Sequence, residues 1–592
     1  MSVVPQGKSV QALYRDYREG NLLVNRRYQR KLVWSVDEKE YLIDSILRGF
    51  PIPLILLAER PDVHGRGKFE IIDGIQRFNA VFTFIENAFA VDGKMFDINQ
   101  FARAKQAADD GLFQPIVGQP LLSPEECANV LDYQLAITVY PATDETAITE
   151  VFGRINSSGR QLSYQEQRQA GVVSEFARLI RILASELRGD VSKDVLLLSD
   201  MPEISVDSAK SPHGYGITAE QTLWCRQGIL SVRQLRESED EQFVADLTAS
   251  ILMGEPIPAS KEFLDDLYDS EGENSKDIER RLSSYPASKL TRDIKSTFSV
   301  LKDVIETASP EPNALRSRVR PGTFYPVKAP FFAIFMAFFD LIVKQEKSPD
   351  QPKRIMAALD GLDDKLSKGG HYETTGNRLK NISLTKGLIQ DFFVNKVPPV
   401  LGHGPSLVID FENALRRSRI ETPRYEFKQG VLRLDESRKI DTELLERIVE
   451  TACGIANLGP DSDGYIFFGV ADRKAHADRI VQIDGIAPRE IGDHYLVGIE
   501  REAKILDISI DEYVKLLVAA FQGSELSPCL KSQILASFDT VTVQGLSAVR
   551  IVVPRQAEVS FVGTSAYSRV GSSTVKIEGP QLIAVSKLFH GV

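Results

Sequence analysis

The sequence predicts a multidomain α+β protein with an N-terminal α/β domain, a mainly helical middle and a C-terminal α/β domain. Three observations predict it. At 592 residues the chain is well beyond the size of one ordinary domain. Its hydrophobic pattern passes from short strand-like runs to helical spacing and back to strand-like runs. A Pro/Gly-rich passage, Val397-Pro398-Pro399-Val400-Leu401-Gly402-His403-Gly404-Pro405, marks the second change. The expected limits are 1–120 for the first domain, 121–397 for the helical region, 398–415 for a linker and 416–592 for the last domain.

In the first region, Leu54-Ile55-Leu56-Leu57 and Phe69-Glu70-Ile71-Ile72 read as strands, and the second runs straight into Asp73-Gly74. Arg77 to Ile85 has helical character, so a strand, a glycine turn and a helix N-terminus follow one another. From about Ser163 to Lys396 helices dominate: Val172, Val173, Phe176, Leu179, Ile180 and Leu183 recur at helical spacing. The polar stretches 207–216, 269–276 and 345–353 read as loops. The most apolar run, Ala329 to Phe339, is too short to span a bilayer and predicts a buried core helix. Near the C-terminal side, Pro423 disfavours a helical Thr422, which puts Glu421 in a turn before a strand. Arg424 to Lys428 alternates, with Glu426 and Lys428 on one face and Tyr425 and Phe427 on the other. Asp441 is placed to cap a helix whose stripe is Leu445, Ile448, Val449, Ala452, Ile455 and Ala456. Gly459 to Gly464 ends it, Tyr465 to Val470 is an apolar strand, and Asp472 lies just past that strand.

The formal net charge of −11 argues against a protein that coats nucleic acid nonspecifically, while leaving room for a nuclease with local basic patches. Cys127, Cys225, Cys453 and Cys529 are scattered, which predicts reduced thiols rather than a zinc site or a disulfide framework. No basic-plus-apolar leader opens the chain, so a cytoplasmic protein is expected.

Carboxylates at a strand start, within that strand and at the end of a neighbouring strand can converge on one point. Hard divalent cations such as Mg²⁺ or Mn²⁺ take oxygen ligands of this kind, and a bound cation polarises a phosphodiester and acidifies its attacking water. Lys428 is placed to neutralise charge in the transition state. Spacing by itself leaves a solvated strand edge as the alternative. The residue identities go further. Glu421-x4-Glu426-Phe427-Lys428, the apolar helix ending in Ala456-Asn457, Gly469-Val470-Ala471-Asp472 and the tail Arg569-Val570-Gly571-Ser572-Ser573-Thr574 resemble the Schlafen AlbA-type domain. The resemblance covers roughly the last third of the chain. It implies a catalytic metal triad of Glu421, Glu426 and Asp472. The family's usual Asn-Thr-x-Gly-Gly turn is replaced by the longer, more acidic Asn457 to Gly464. Arg416, Arg417 and Arg569 are the expected nucleic-acid contacts.

At the other end, Asp73-Gly74-Ile75-Gln76-Arg77 opens a helix whose free N–H groups, with Arg77, suit a phosphate. An ordinary capped turn with a solvated arginine is the alternative reading. Together with Tyr28-Gln29-Arg30, Trp34, the stretch Leu42 to Pro53 and Phe152 to Ser163, the segment looks like the "DGQQR" family of ParB/sulfiredoxin-like domains. That family includes the N-terminal parts of GmrSD-type and SspE restriction proteins. The resemblance covers about residues 10 to 170 and implies nucleoside triphosphate (ATP or GTP) binding by Asp73, Gly74, Gln76 and Arg77, with Arg30, Asn156 and Gly159 in support. Ile75 replaces the first glutamine of the family motif, and there is no Walker-type phosphate loop.

The expectation is an NTP-regulated, metal-dependent nuclease of a bacterial anti-phage defence or restriction type, with RNA or tRNA slightly favoured over DNA. The alternative is a non-catalytic nucleic-acid-binding sensor or regulator with NTPase activity in the N-terminal domain. Schlafen nuclease cores pair two lobes around a groove and this chain contains one, which implies a homodimer through the C-terminal domain.

Overall fold

The computed structural model describes residues 5–26, 31–61, 67–116, 118–141, 148, 163–169, 172, 174–190, 195–201, 204–205, 217–368, 373–395, 405–417, 422–460, 463–492, 494–543 and 545–590. The chain divides into two compact units, Met1–Leu401 and Gly402–Val592, each mixed in helix and strand. Among the described residues no helix is long and apolar enough to cross a membrane.

In the first unit, six strands among the described residues form one mixed sheet. They are β1 (Gln6–Ser9), β2 (Leu22–Asn25), β3 (Ile55–Pro61), β4 (Gly67–Asp73), β5 (Gln134–Pro141) and β6 (Val195–Leu197), in the order β1-β5-β3-β4-β2-β6. β5 lies parallel to β3, and β2 lies parallel to β4. β5 and β6 both fall beyond residue 120, where the sequence ends the first domain. Strand pairing across such separations leaves no local trace in the sequence, because the partner edges come together only in the sheet. The helices Val10–Arg18, Val36–Leu47 and Ile75–Ile85 pack Leu13, Ile43, Phe78 and Phe82 into the core beside β3 and β4. Ser35 starts the second of these with a capping box closed by Glu38.

The helical region has its own core, centred on Lys328–Phe339. This helix is buried on nearly every face and packs against Ala287–Ala308 and Thr375–Ile389. A helix apolar all round is what a bundle centre requires. The loop expected at 269–276 gives way to a helix beginning at Glu273, and that expected at 345–353 to one beginning at Pro352. The expected loop 207–216 lies outside the described residues.

The second unit opens with the helix Pro405–Arg417, most of which falls in the expected linker. Phe411, Ala414 and Leu415, at i, i+3 and i+4, enter the core beside Phe467 and Val541, so this stretch is folded domain. Four strands among the described residues make the principal sheet, in the order β7 (Tyr425–Lys428), β8 (Gly464–Phe468), β13 (Leu546–Val553) and β12 (Phe538–Val543). β7 and β8 are parallel, with Lys428 opposite Phe468. Beyond β8, Gly469 at φ 91° bends the chain into the short strand β9 (Val470–Ala471). β9 pairs with β11 (His494–Leu496), which pairs with β10 (Arg489–Ile491). The helix Thr442–Ala456, capped by Asp441, crosses over between β7 and β8. It also carries the hairpin of β14 (Ala566–Val570) and β15 (Ser573–Ile577).

Candidate functional sites

At the N-terminal motif, β4 ends on Asp73 and Gly74 turns the chain into the helix Ile75–Ile85. Gly74 sits at φ 103°, and a Cβ there would meet Ile55 Cγ1 at 2.7 Å, so both backbone and space favour glycine. Arg77 ion-pairs with Asp73, and its Nη1 donates to the carbonyls of Pro53 at 2.7 Å and Leu54 at 2.8 Å. The guanidinium is thus turned onto the chain entering β3, while Asp73 keeps 39% of its side chain exposed.

Gln76 is buried, and its amide is spent on backbone. Nε2 donates to Lys31 O at 2.7 Å, and Oε1 accepts from the N–H groups of Val33 at 3.2 Å and Trp34 at 3.3 Å. It staples residues 31–34 to the start of the helix, a different task from the phosphate contact expected of it. The stapled segment is tied on its other side to the helical region. Lys31 Nζ donates to Ser238 Oγ at 2.9 Å and pairs with Asp240 at 3.3 Å and Glu241 at 3.1 Å. Arg188 also pairs with Asp240, and Arg236 reaches the carbonyl of Val33. Burial of Asp240 is outweighed by Arg188 and Lys31, which hold its carboxyl below the usual range. Sequence reasoning missed Lys31, Arg188 and Asp240, because a charged residue on a helix or loop reads as solvated until its neighbours are known. Arg30, Asn156 and Gly159 lie outside the described residues.

In the second unit, alternation along β7 sets Glu426 and Lys428 on one face, 2.6 Å apart as an ion pair. Tyr425 and Phe427 stack on the other, with ring planes 6° apart. The second oxygen of Glu426 is 2.9 Å from Arg569 Nη2. Arg569 is buried, and it also donates to Pro423 O at 3.2 Å, Tyr425 O at 3.1 Å and Thr574 Oγ1 at 3.0 Å. Thr574 in turn meets Thr451 Oγ1 at 2.9 Å, fastening the hairpin to the helix Thr442–Ala456. Arg569 was expected to contact nucleic acid; its guanidinium instead lies under β7 and orients Glu426.

Asp472 follows β9 and is half exposed. Its carboxylate lies 3.2 Å from His476 Nδ1 and 3.8 Å from Arg473 Nε. Sequence reasoning missed His476; its i, i+4 spacing to Asp472 was the available signal. The chain leaving β7 is pinned by Glu502, whose Oε2 accepts from Val431 N at 2.6 Å, Leu432 N at 3.2 Å and Tyr513 Oη at 2.7 Å. Burial pushes the Glu502 carboxyl up, against the pull of Arg501.

The oxygen donors Glu426 and Asp472 suit a hard cation, and each paired oxygen of Glu426 retains a lone pair. Glu421, which would complete the set, lies outside the described residues, as do the side chains of Arg416 and Arg417. Among the described residues, no group of three His, Cys, Asp or Glu side chains is placed to hold a metal ion. Cys127, Cys225, Cys453 and Cys529 are all free thiols, and burial pushes Cys453 up to about 12.

The mixed sheet and the strand–glycine–helix turn at Asp73–Arg77 define the class of the N-terminal part, an α/β domain presenting a helix N-terminus beside a strand end. More particularly, residues 10–173 are similar to a known family, matching the model described as the GmrSD restriction endonuclease, N-terminal domain. Comparison with curated proteins and with solved structures gave no match.

Proposed function

We propose that the protein is an NTP-regulated, metal-dependent nuclease of an anti-phage restriction type. The match of residues 10–173 to the GmrSD N-terminal domain carries the restriction reading. In it, the ParB/sulfiredoxin-like N-terminal domain senses a nucleoside triphosphate or a modified nucleic acid at the turn Asp73–Arg77, and the Schlafen AlbA-like C-terminal unit cuts. RNA or tRNA is slightly favoured over DNA as substrate, on the residue pattern shared with Schlafen ribonucleases.

Glu421, Glu426 and Asp472 would hold Mg²⁺ or Mn²⁺, which when bound polarises the phosphodiester and acidifies water. Arg569, ion-paired to Glu426 at 2.9 Å, holds it aimed along β7. Lys428, a third exposed, is near enough to leave Glu426 for a phosphate oxygen. His476 orients Asp472 and supplies a group for proton transfer. Two copies joined through the C-terminal unit would provide the second lobe, which light scattering tests: a monomer overturns it.

A second reading is favoured by the pairing at Glu426. A carboxylate neutralised on both oxygens is also what a non-catalytic nucleic-acid sensor would carry, with the chemistry reduced to NTP hydrolysis at the N-terminal turn. The test is a cleavage panel of RNA, single-stranded DNA and duplex DNA in Mn²⁺ with and without ATP or GTP. Cleavage lost in Glu426→Ala and Asp472→Ala but kept in Cys529→Ala, at an exposed thiol, supports the nuclease. No cleavage of any substrate, with phosphate release abolished by Asp73→Ala, supports the sensor.

A further inference from the structure

Between the helices Ala314–Val319 and Lys328–Phe339 the chain runs Arg320-Pro321-Gly322-Thr323-Phe324-Tyr325-Pro326-Val327. Its two ends are fixed. Val319 and Val327 are fully buried, and Val327 N donates to Gly228 O at 3.1 Å. Arg320 closes the base by donating Nη1 to Pro326 O at 3.0 Å, while Asp363 grips the rest of its guanidinium in two bonds of 2.9 Å. Arg316 steadies the tip, lying 5.6 Å from the centre of the Phe324 ring with Nη1 3.4 Å from Phe324 O.

On this stiff support two adjacent aromatic rings point outward. Phe324 is 88% exposed, the most exposed large apolar side chain among the described residues, and Tyr325 is 74% exposed. Leaving two rings in water works against folding, so a loop stapled to present them serves a contact. Charge indicates the kind of contact. Arg316 has no carboxylate partner among the described residues, and Arg318, 57% exposed, faces Asp360 at 3.6 Å in a loose surface pair. Arg316 stands beside the Phe324 ring, and Arg318 lies two residues further along the same helix, in a chain whose net charge is −11. Aromatic faces with neighbouring arginines are the equipment for stacking unpaired bases and pairing their phosphates. Rings in duplex DNA are already stacked and offer no such face.

We infer that the loop 320–327 is a stacking platform for an unpaired stretch of nucleic acid, RNA or single-stranded DNA. The inference rests on the nucleic-acid reading of the function but not on the metal site or on cleavage. It assigns the helical region a direct part in engaging substrate, with Phe324 and Tyr325 taking bases and Arg318 a phosphate.

The test is fluorescence anisotropy of the full chain with labelled oligothymidylate, oligouridylate and a duplex, without metal. Phe324→Ala/Tyr325→Ala is expected to weaken binding of the single strands by about tenfold or more, with the thermal midpoint unchanged because both rings are already in water. Phe324→Trp should retain binding, and Arg318→Ala should lower the salt slope by about one. A ranking of oligouridylate against oligothymidylate separates RNA from DNA. Unchanged single-strand affinity in the double variant, when the natural chain binds, overturns the platform while leaving the function proposal standing. Failure of the natural chain to bind any nucleic acid overturns both. Self-association of the natural chain abolished in the double variant, with nucleic-acid affinity unchanged, makes the loop a protein interface instead.

Discussion

At the turn Asp73–Arg77 the amide of Gln76 is buried and bonded to three backbone groups of residues 31–34, whereas on the strand Tyr425–Lys428 the carboxylate of Glu426 rests between two cations, one still partly in solvent. Both were picked out of the sequence as ligand-binding side chains. The first has its partners supplied by the fold, and what it leaves for a ligand is the exposed edge of Asp73 and the helix N-terminus. The second has mobile charge on one side, because Lys428 can exchange partners while Arg569 cannot. The difference teaches that a motif residue is a ligand only if its hydrogen-bonding capacity is left over after folding.

The largest effects should come from the inward-facing network. Asp240→Ala takes from buried Arg188 and Lys31 a carboxylate they share, leaving them Glu241 and, for Arg188, Asp190. Urea unfolding should register a loss of about 3 kcal/mol, the low end for a broken buried pair. Gln76→Ala strands the amides of Val33 and Trp34 and the carbonyl of Lys31, for about 2–3 kcal/mol. A Gln76→Ala variant of undiminished stability would break the comparison, since the glutamine would then be free for a ligand.

A second inward group of the same unit gives a pH signature. Glu86 is buried against Arg18 and Tyr14, and desolvation, outweighing the attraction of Arg18, raises its carboxyl from 4.5 to about 7. A carboxyl with a raised folded pKa is protonated in the fold before it is in the unfolded chain. Its contribution is therefore greatest below about pH 4.5 and is lost as pH rises to about 7, on the order of 3 kcal/mol in all. Unfolding free energies of the natural chain and Glu86→Gln across this window should diverge with that sign. Parallel curves would show that the group stays charged.

The smallest expected effect separates the two carboxylates of the second unit. Glu426→Gln removes the counter-charge of buried Arg569 and should cost about 1–2 kcal/mol. Asp472→Asn touches only well-exposed partners and should cost less than about 0.5 kcal/mol. If both variants lose cleavage equally while stability differs in this way, the catalytic role is separated from the structural one.

Much of the local architecture was legible in the sequence. Alternation around Glu426, the Asp441 cap of the helix Thr442–Ala456, the glycine turn after Asp73 and the apolar helix ending at Phe339 each depend on side-chain period or on backbone limits that act within a few residues. The stripe Phe411, Ala414 and Leu415 was present too, but it lay close to the Pro/Gly-rich passage and was absorbed into the linker. Not legible were the partners. Nothing near Glu426 in the chain announces Arg569, and nothing near Gln76 announces the segment it staples.

By itself the sequence determined the α+β class, the strand–glycine–helix turn, the carboxylate-bearing strand and the likeness of the N-terminal part to a restriction-type domain. Only the tertiary structure decided which polar groups remain for chemistry. Gln76, Arg77 and Arg569 turned inward because burial obliges each of them to find a partner, and the nearest unpaired groups came from distant parts of the same unit. Asp73, Lys428, Asp472, Phe324 and Tyr325 kept faces in water, where no such demand applies, and the proposed ligand contacts are drawn from them.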